Sequence, residues 1–228
     1  MLTKRKSISK KEIKEDKLVE TYYKAYGFFE ENKSKIALYA GVLVLVVVAV
    51  YFYIQHKNSN NEEAGLQLSR VMALYDAGSY LEAIEGRAGT KVTGLKKIVA
   101  EYGSTENGEV AKIYLANAYS FLGKQDEALK YYQDYSGSND LFKATSIAGE
   151  AGYYAFKNEF EKAADKYVEA SKVSDGNVLN PDYMLSAAKN YMKAEKNDKA
   201  KELLEDIRDN YNTSSAFREV DKYLPLLD

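Results

Sequence analysis

Nineteen consecutive uncharged residues, Ile36 to Ile54 (IALYAGVLVLVVVAVYFYI), constrain this chain more than any other stretch. At about 1.5 Å per residue, a helix of that length reaches roughly 30 Å, the thickness of a bilayer's hydrocarbon core. A soluble helix buries one stripe and wets the other, so a run apolar on every face fits lipid better than a protein core. Ile36, Leu43, Val48 and Ile54 mark this run as a membrane anchor. Tyr39, Tyr51 and Tyr53 stand near its ends, where amphipathic rings favour the interface.

Charge sets the expected direction of crossing. Residues 1–35 hold ten Lys/Arg and six acids, a net of +4; just beyond the span only Lys57 precedes Glu62 and Glu63. The positive-inside rule then predicts a cytoplasmic N-terminus and a C-terminal part on the far side of a bacterial inner membrane. The apolar run starts too late and is too long for a cleaved leader, so it reads as an uncleaved signal anchor. Residues 55–228 have 22 bases and 28 acids, a net of −6, which argues against nucleic acid as a partner. The chain has no Cys, which excludes disulfides, thiolate metal sites and Cys-linked lipid.

On the N-terminal side, residues 1–17 read as a basic, disordered tail that sets topology. Residues 18–35 predict a juxtamembrane amphipathic helix with Leu18, Val19, Tyr22, Tyr23, Tyr26 and Phe29 on one stripe. That stripe suits the membrane interface, with lysines at anionic headgroups, or the face of a partner protein. Residues 55–61 read as a linker.

Residues 62–228 predict an all-α domain: apolar residues recur at helical spacing and strand-like alternation is absent. Three segments align. Tyr114–Tyr135, Ile147–Ala170 and Tyr183–Ile207 superpose Ala116, Ala151 and Ala188, then Tyr119, Tyr154 and Tyr191, then Ala128, Ala163 and Ala200. A weaker unit, Leu66–Ile84, places Val71, Leu74, Gly78 and Ala83 at matching positions. The pattern resembles the tetratricopeptide repeat, a 34-residue helix–turn–helix. Gly78 and Gly123 fall where the first helix ends and a positive φ is needed. Lys112 stands where that repeat carries a large apolar residue, and the repeat's Pro after the second helix is missing. About four repeats follow, the first with an insertion at 86–94, and a capping helix over residues 216–227 closes the array. The expected fold is therefore all-α: one N-terminal transmembrane helix, then a helical-hairpin solenoid.

No catalytic constellation is legible. The only His, His56, adjoins the span, and one His with no Cys makes neither a triad nor a His/Cys metal cluster. The adjacent acids Glu30–Glu31 and Glu62–Glu63 diverge on a helix and form no acid/base pair. Residues 88–94 lack the glycine spacing and Gly-Lys-Ser/Thr ending of a phosphate loop. Asn212-Thr-Ser214 matches a glycosylation sequon, relevant only to a eukaryotic secretory pathway. The expectation is a non-enzyme without metal, cofactor or small-molecule substrate.

The repeat resemblance implies a concave face lined by first-helix positions. Carried over, these are Ile113, Asn117, Ser120 and Phe121, then Ala148, Gly152, Ala155 and Phe156, then Leu185, Lys189, Met192 and Lys193. Phe121 and Phe156 are equivalent, so their rings would either stack as part of an apolar strip with Ile113, Leu185 and Met192, or pack inside their own hairpins.

The whole layout, and Phe28-Phe-Glu-Glu-Asn-Lys-Ser-Lys-Ile-Ala-Leu38 running into the span, resembles the YfgM family, ancillary subunits of the bacterial SecYEG translocon. The repeat part, with Tyr-Gly-Ser-Thr at 102–105, is similar to envelope repeat proteins of the Bacteroidetes and Chlorobi type. The translocon resemblance implies association with translocon subunits and with a membrane-anchored periplasmic chaperone of the peptidyl-prolyl isomerase type, and contact with emerging secreted chains. The alternative is a structural scaffold for another envelope assembly, such as outer-membrane assembly or division machinery. An organelle import receptor facing the cytosol is a third reading, opposed by the charge asymmetry.

Overall fold

The computed structural model describes the backbone of residues 10–227 and the side chains of residues 17–227. The chain divides into two units, Met1–His56 and Lys57–Asp228. The described residues form helices joined by turns and loops, with no strand among them; one isolated bridge joins Gly86 and Thr93.

In the N-terminal unit, α1 (Lys10–Asp76) carries one stretch long and apolar enough to cross a membrane, with mean hydropathy 2.5 and none of that window buried. Leu43, Val48 and Ile54 all present exposed side chains there, and Ile36 is half-buried. Three expectations change. Residues 1–9 of the basic tail lie outside the described residues, but from Lys10 the segment is helix rather than disordered tail. Residues 18–35 are not a separate helix, and 55–61 are not a linker, because α1 runs through both. Nothing in the sequence opposes this: residues 10–76 contain no Pro, and an apolar run in helical conformation nucleates its flanks at no extra cost. The Leu18–Phe29 stripe is exposed, with Tyr22 and Tyr26 stacked at 6.3 Å.

The C-terminal unit opens with the last residues of α1. It continues through α2 (Tyr80–Glu85), α3 (Leu95–Tyr102), α4 (Glu106–Phe121), α5 (Gln125–Gln133), α6 (Asp140–Phe156) and α7 (Phe160–Ser171). Then come α8 (Asn180–Lys193), α9 (Asn197–Asn210), α10 (Phe217–Tyr223) and a 3₁₀ turn at Leu224–Leu226. From α3 to α10 each helix packs on the next in sequence. The α4–α5, α6–α7 and α8–α9 connections are three residues long, which turns each pair into a hairpin.

One turn geometry recurs four times. Ser79, Lys124, Glu159 and Lys196 each donate a backbone N–H at 2.9 Å to the carbonyl five residues back, on Leu74, Tyr119, Tyr154 and Tyr191. The residue before each donor is left-handed: Gly78 (φ 74°), Gly123 (φ 74°), Asn158 (φ 63°) and Glu195 (φ 59°). This is the Schellman ending of a helix, which satisfies carbonyls that would otherwise be orphaned. Its spacing of 45, 35 and 37 residues matches that of Ala83, Ala128, Ala163 and Ala200, all buried.

Small residues let the hairpins close. A Cβ on Gly149 would lie 2.4 Å from the Tyr132 ring, so α6 must have glycine where α5 lays that ring. A Cβ on Gly108 would lie 1.8 Å from the Tyr102 carbonyl, which explains the glycine behind the 102–105 motif. Thr105 caps α4 there, accepting from the Gly108 N–H at 3.1 Å. Lys112, anomalous as a core residue by sequence, is buried and satisfied. Its Nζ meets Glu109 Oε1 at 2.9 Å and the Asp134 carbonyl at 3.0 Å, where it holds the C-terminal end of α5. Glu109 in turn accepts from the Ser136 N–H and Oγ at 2.9 and 2.8 Å. Burial works against the Lys112 charge, yet the hydrogen bonds to Glu109 and Asp134 leave its pKa above the ordinary lysine value.

Candidate protein-interaction groove

The first helix of each hairpin has one face turned away from its second helix, and on α4 that face is legible as spacing. Val110, Tyr114, Asn117 and Phe121 follow one another at four, three and four residues, all half-buried or exposed. Around them the fold assembles aromatic rings. Tyr75 of α1 meets Tyr114 edge-on at 5.1 Å, and Tyr114 meets Phe142 of α6 edge-on at 6.3 Å. Tyr75 also meets Tyr80 of α2 at 5.4 Å, and Tyr80 stacks on Phe121 at 4.7 Å. Five rings thus form one row, four on the first helices of three successive hairpins (α1, α4 and α6) and Tyr80 on α2. Edge-to-face and offset contacts of this kind are favourable ring packing; Tyr75, Tyr80, Tyr114 and Phe142 are half-buried against the core, and Phe121 is exposed.

Asn117 anchors the centre. Its Oδ1 accepts from the Tyr132 hydroxyl at 2.6 Å, tying α4 to α5. Burial pushes the Tyr132 phenol well above the ordinary tyrosine range, so it stays a donor at any physiological pH. No carboxylate or ammonium belongs to the row. Chemically the row consists of partly exposed rings, phenol hydroxyls and one amide.

The transferred concave-face residues fare unevenly. Phe121 and Phe156 are 63 % and 58 % exposed. Phe121 stacks on Tyr80 rather than on Phe156, whose ring lies under Lys157 Nζ at 5.7 Å. Asn117 and Ser120 border the groove, with the Ser120 carbonyl accepting from Gln125 Nε2 at 3.2 Å across the hairpin turn. Ala148, Gly152 and Ala155 are half-buried on α6.

Others do not reach the groove. Ile113 is 1 % exposed and lies in the core, because α4 is enclosed by α2, α3, α5 and α6. Leu185 is 6 % exposed and packs, with Met192, in the cluster that includes Val220 and Phe217 of α10. Lys189 is held by Glu219 of α10 at 2.9 Å and lies 4.9 Å over the Tyr223 ring. Lys193 is exposed, over Phe160 at 5.1 Å. The expected apolar strip of Ile113, Phe121, Phe156, Leu185 and Met192 is therefore not assembled. The capping helix covers the last hairpin.

Sequence reasoning missed Tyr75, Tyr80, Tyr114 and Phe142. The four-three-four spacing on α4 could have found Tyr114, but the rings from α1, α2 and α6 become neighbours only in the folded array. Among the described residues, no group of three or more His, Cys, Asp or Glu is placed to hold a metal ion.

The described residues form an all-helical protein with one N-terminal helix apolar and long enough to span a membrane, and a C-terminal array of hairpins carrying a row of contacting aromatic rings. No family model, curated protein or solved structure matches the chain.

Proposed function

We propose that this chain is a membrane-anchored protein-interaction module with a tetratricopeptide-like solenoid. On this reading it sits on the trans side of the bacterial inner membrane as an ancillary translocon subunit. It assists secreted proteins as they emerge, together with a membrane-anchored periplasmic chaperone. The observation that carries the reading is the row of contacting rings from Tyr75 through Tyr114 to Phe142, with Tyr80 and the exposed Phe121 at its end. Rings held in place by a core, with part of their surface exposed, bind apolar side chains of an extended segment at little entropic cost, as interaction surfaces rich in Tyr do. The repeating hairpin turn supports the solenoid, the apolar helix supports the anchor, and the membrane-proximal resemblance supports the translocon.

The test is a photo-crosslinking amino acid at Phe121 in the full-length protein, in native membranes, followed by mild-detergent recovery and mass spectrometry. The expected products are translocon subunits, the chaperone and secreted precursors. Crosslinks confined to a different envelope complex would replace the translocon reading with the scaffold alternative. Crosslinks to neither, with the membrane-anchored protein intact, would end the groove's role.

A further inference from the structure

The N-terminal part of α1 carries an aromatic face in the open. Leu18, Tyr22 and Phe29 are exposed, and so are Tyr26 and Phe28 beside them. Leu18, Tyr22, Ala25, Phe29, Asn32 and Ile36 follow one another at four, three, four, three and four residues, the spacing of a two-helix coiled-coil seam. The same spacing runs on through the apolar stretch to Tyr53 and meets no charge. Glu20, Lys24, Glu30 and Glu31 all fall on the outward positions. Lys24 and Lys33 are paired with Glu20 and Glu30 of their own helix, at 2.6 and 3.1 Å.

Lipid does not cover this face. With α1 unbroken through residues 18–54, Phe29 stands about 10 Å and Leu18 about 27 Å beyond Ile36 along the axis. The headgroup layer is only about 5–8 Å deep on each side, and a tilt of about 40° shortens those heights by only about a quarter. The rings therefore stand in water, where a contiguous apolar surface marks an interaction site.

We propose that a second copy of this chain covers the face, in a parallel homodimer held along the α1 seam. Two copies in one bilayer share orientation and, through identical apolar stretches, depth, so each seam residue meets its own equivalent. In that arrangement Phe28 lies beside the partner's Lys33, a cation–π contact, and Thr21 beside the partner's Tyr26. No like charges are opposed across the seam between Leu18 and Ile36. Asn32 sits on the seam, its Nδ2 bonded to the Phe28 carbonyl at 2.9 Å, and a polar seam residue of this kind fixes register. Burying half of the Tyr22, Tyr26, Phe28 and Phe29 side chains, at about 200 Å² each, removes on the order of 800 Å² over both copies. Leu18, Val19 and the seam beyond Ile36 carry the pair past the roughly 1,000 Å² that a specific interface needs. The seam does not depend on what the aromatic row of the C-terminal unit binds.

Because the chain has no cysteine, single-cysteine variants of the full-length protein read the face directly. In isolated native membranes treated with copper phenanthroline, disulfide-linked dimer is expected to form fastest in Ala25→Cys and Asn32→Cys. Lys24→Cys and Glu31→Cys, on outward positions, should be at least about tenfold slower. Phe29→Glu added to Ala25→Cys should slow crosslinking at least about tenfold, with carbonate-resistant recovery showing that the variant is still inserted. Gly41→Ile, away from the seam where an added Cβ meets nothing, should leave the rate unchanged. Equal rates at all four cysteines mean random collision, and faster rates at 24 and 31 mean another face; either overturns the proposal. So does a membrane-inserted chain that gives no dimer at any position, whose face then belongs to a different partner. A rate lost in Gly41→Ile but kept in Phe29→Glu overturns it too, moving the contact to the small residues of the apolar stretch.

Discussion

At the scale of single residues, the four hairpin turns make the same backbone demand and meet it with unequal chemistry. Gly78 and Gly123 adopt positive φ without steric cost, whereas Asn158 and Glu195 carry a Cβ into the same region. Asn tolerates that conformation better than Glu, through local hydrogen bonding of its short amide. Both turns survive because the Schellman hydrogen bonds, Glu159 N–H to Tyr154 and Lys196 N–H to Tyr191, over-determine them. Glu195→Gly is therefore expected to stabilise the C-terminal unit by about 0.5–1 kcal/mol and Asn158→Gly by less, the relief of strain exceeding the added entropy of the unfolded glycine. Chemical denaturation of the full-length protein, followed by tyrosine fluorescence since the chain has no Trp, reads both. A loss of stability in Glu195→Gly would mean that the left-handed turn carries no strain.

At the scale of elements, what was legible in the sequence depended on whether a rule is local. The helix-ending glycines 78 and 123 announced their turns, but Asn158 and Glu195 did not, since nothing in either side chain marks a forced φ. Lys112 looked like a break in the pattern because its partners, Glu109 and the Asp134 carbonyl, are contributed by a helix face and a helix end. The groove was misjudged where the transferred positions ignored the neighbours: α10 covers Leu185 and Lys189, and the elements around α4 bury Ile113. That covering helix is itself held by charge. The Lys189 hydrogen bond holds the Glu219 carboxyl below its ordinary value of 4.5. Burial opposes the Lys189 charge, but the bonds to Glu219 and Tyr223 leave it above 10.5. A depressed carboxylate contributes stability above 4.5 that is lost as pH falls through its folded value, and a raised lysine contributes below 10.5 and loses it as pH rises. The protection factors of α10 amides, with the pH-dependent intrinsic exchange rate divided out, should therefore be highest between those limits and fall in acid before those of α4 do. The pair is partly exposed, so salt weakens the effect. Glu219→Gln should remove the acid dependence; if α10 and α4 respond to acid identically in both proteins, the clasp contributes nothing.

At the scale of the whole molecule, the apolar helix and the charge asymmetry act together, and only the first is geometry. Residues 1–35 are +4 and residues 55–228 are −6, and Lys24, Lys33 and Lys35 crowd one flank of the span while Lys57 alone stands near the other. Moving lysines across a bilayer during insertion is costly, so the lysine-rich flank is expected to stay cytoplasmic. The proposed translocon role depends on that orientation, since a groove for emerging chains is useful only on the side where they emerge. A chain without cysteine allows a clean test, because any introduced thiol is the only one. Ser138→Cys lies on an exposed residue of the α5–α6 connection, and Ser9→Cys lies in the basic segment. In intact spheroplasts a membrane-impermeant maleimide should label Ser138→Cys at once and Ser9→Cys only after permeabilisation. Replacing Lys24, Lys33 and Lys35 by Gln removes most of the bias near the span and should give a mixed population in which each site is partly labelled. The reverse pattern in the parent chain would place the hairpins in the cytoplasm. The aromatic groove would then face cytosolic partners, and the translocon role would fall while the interaction module remained.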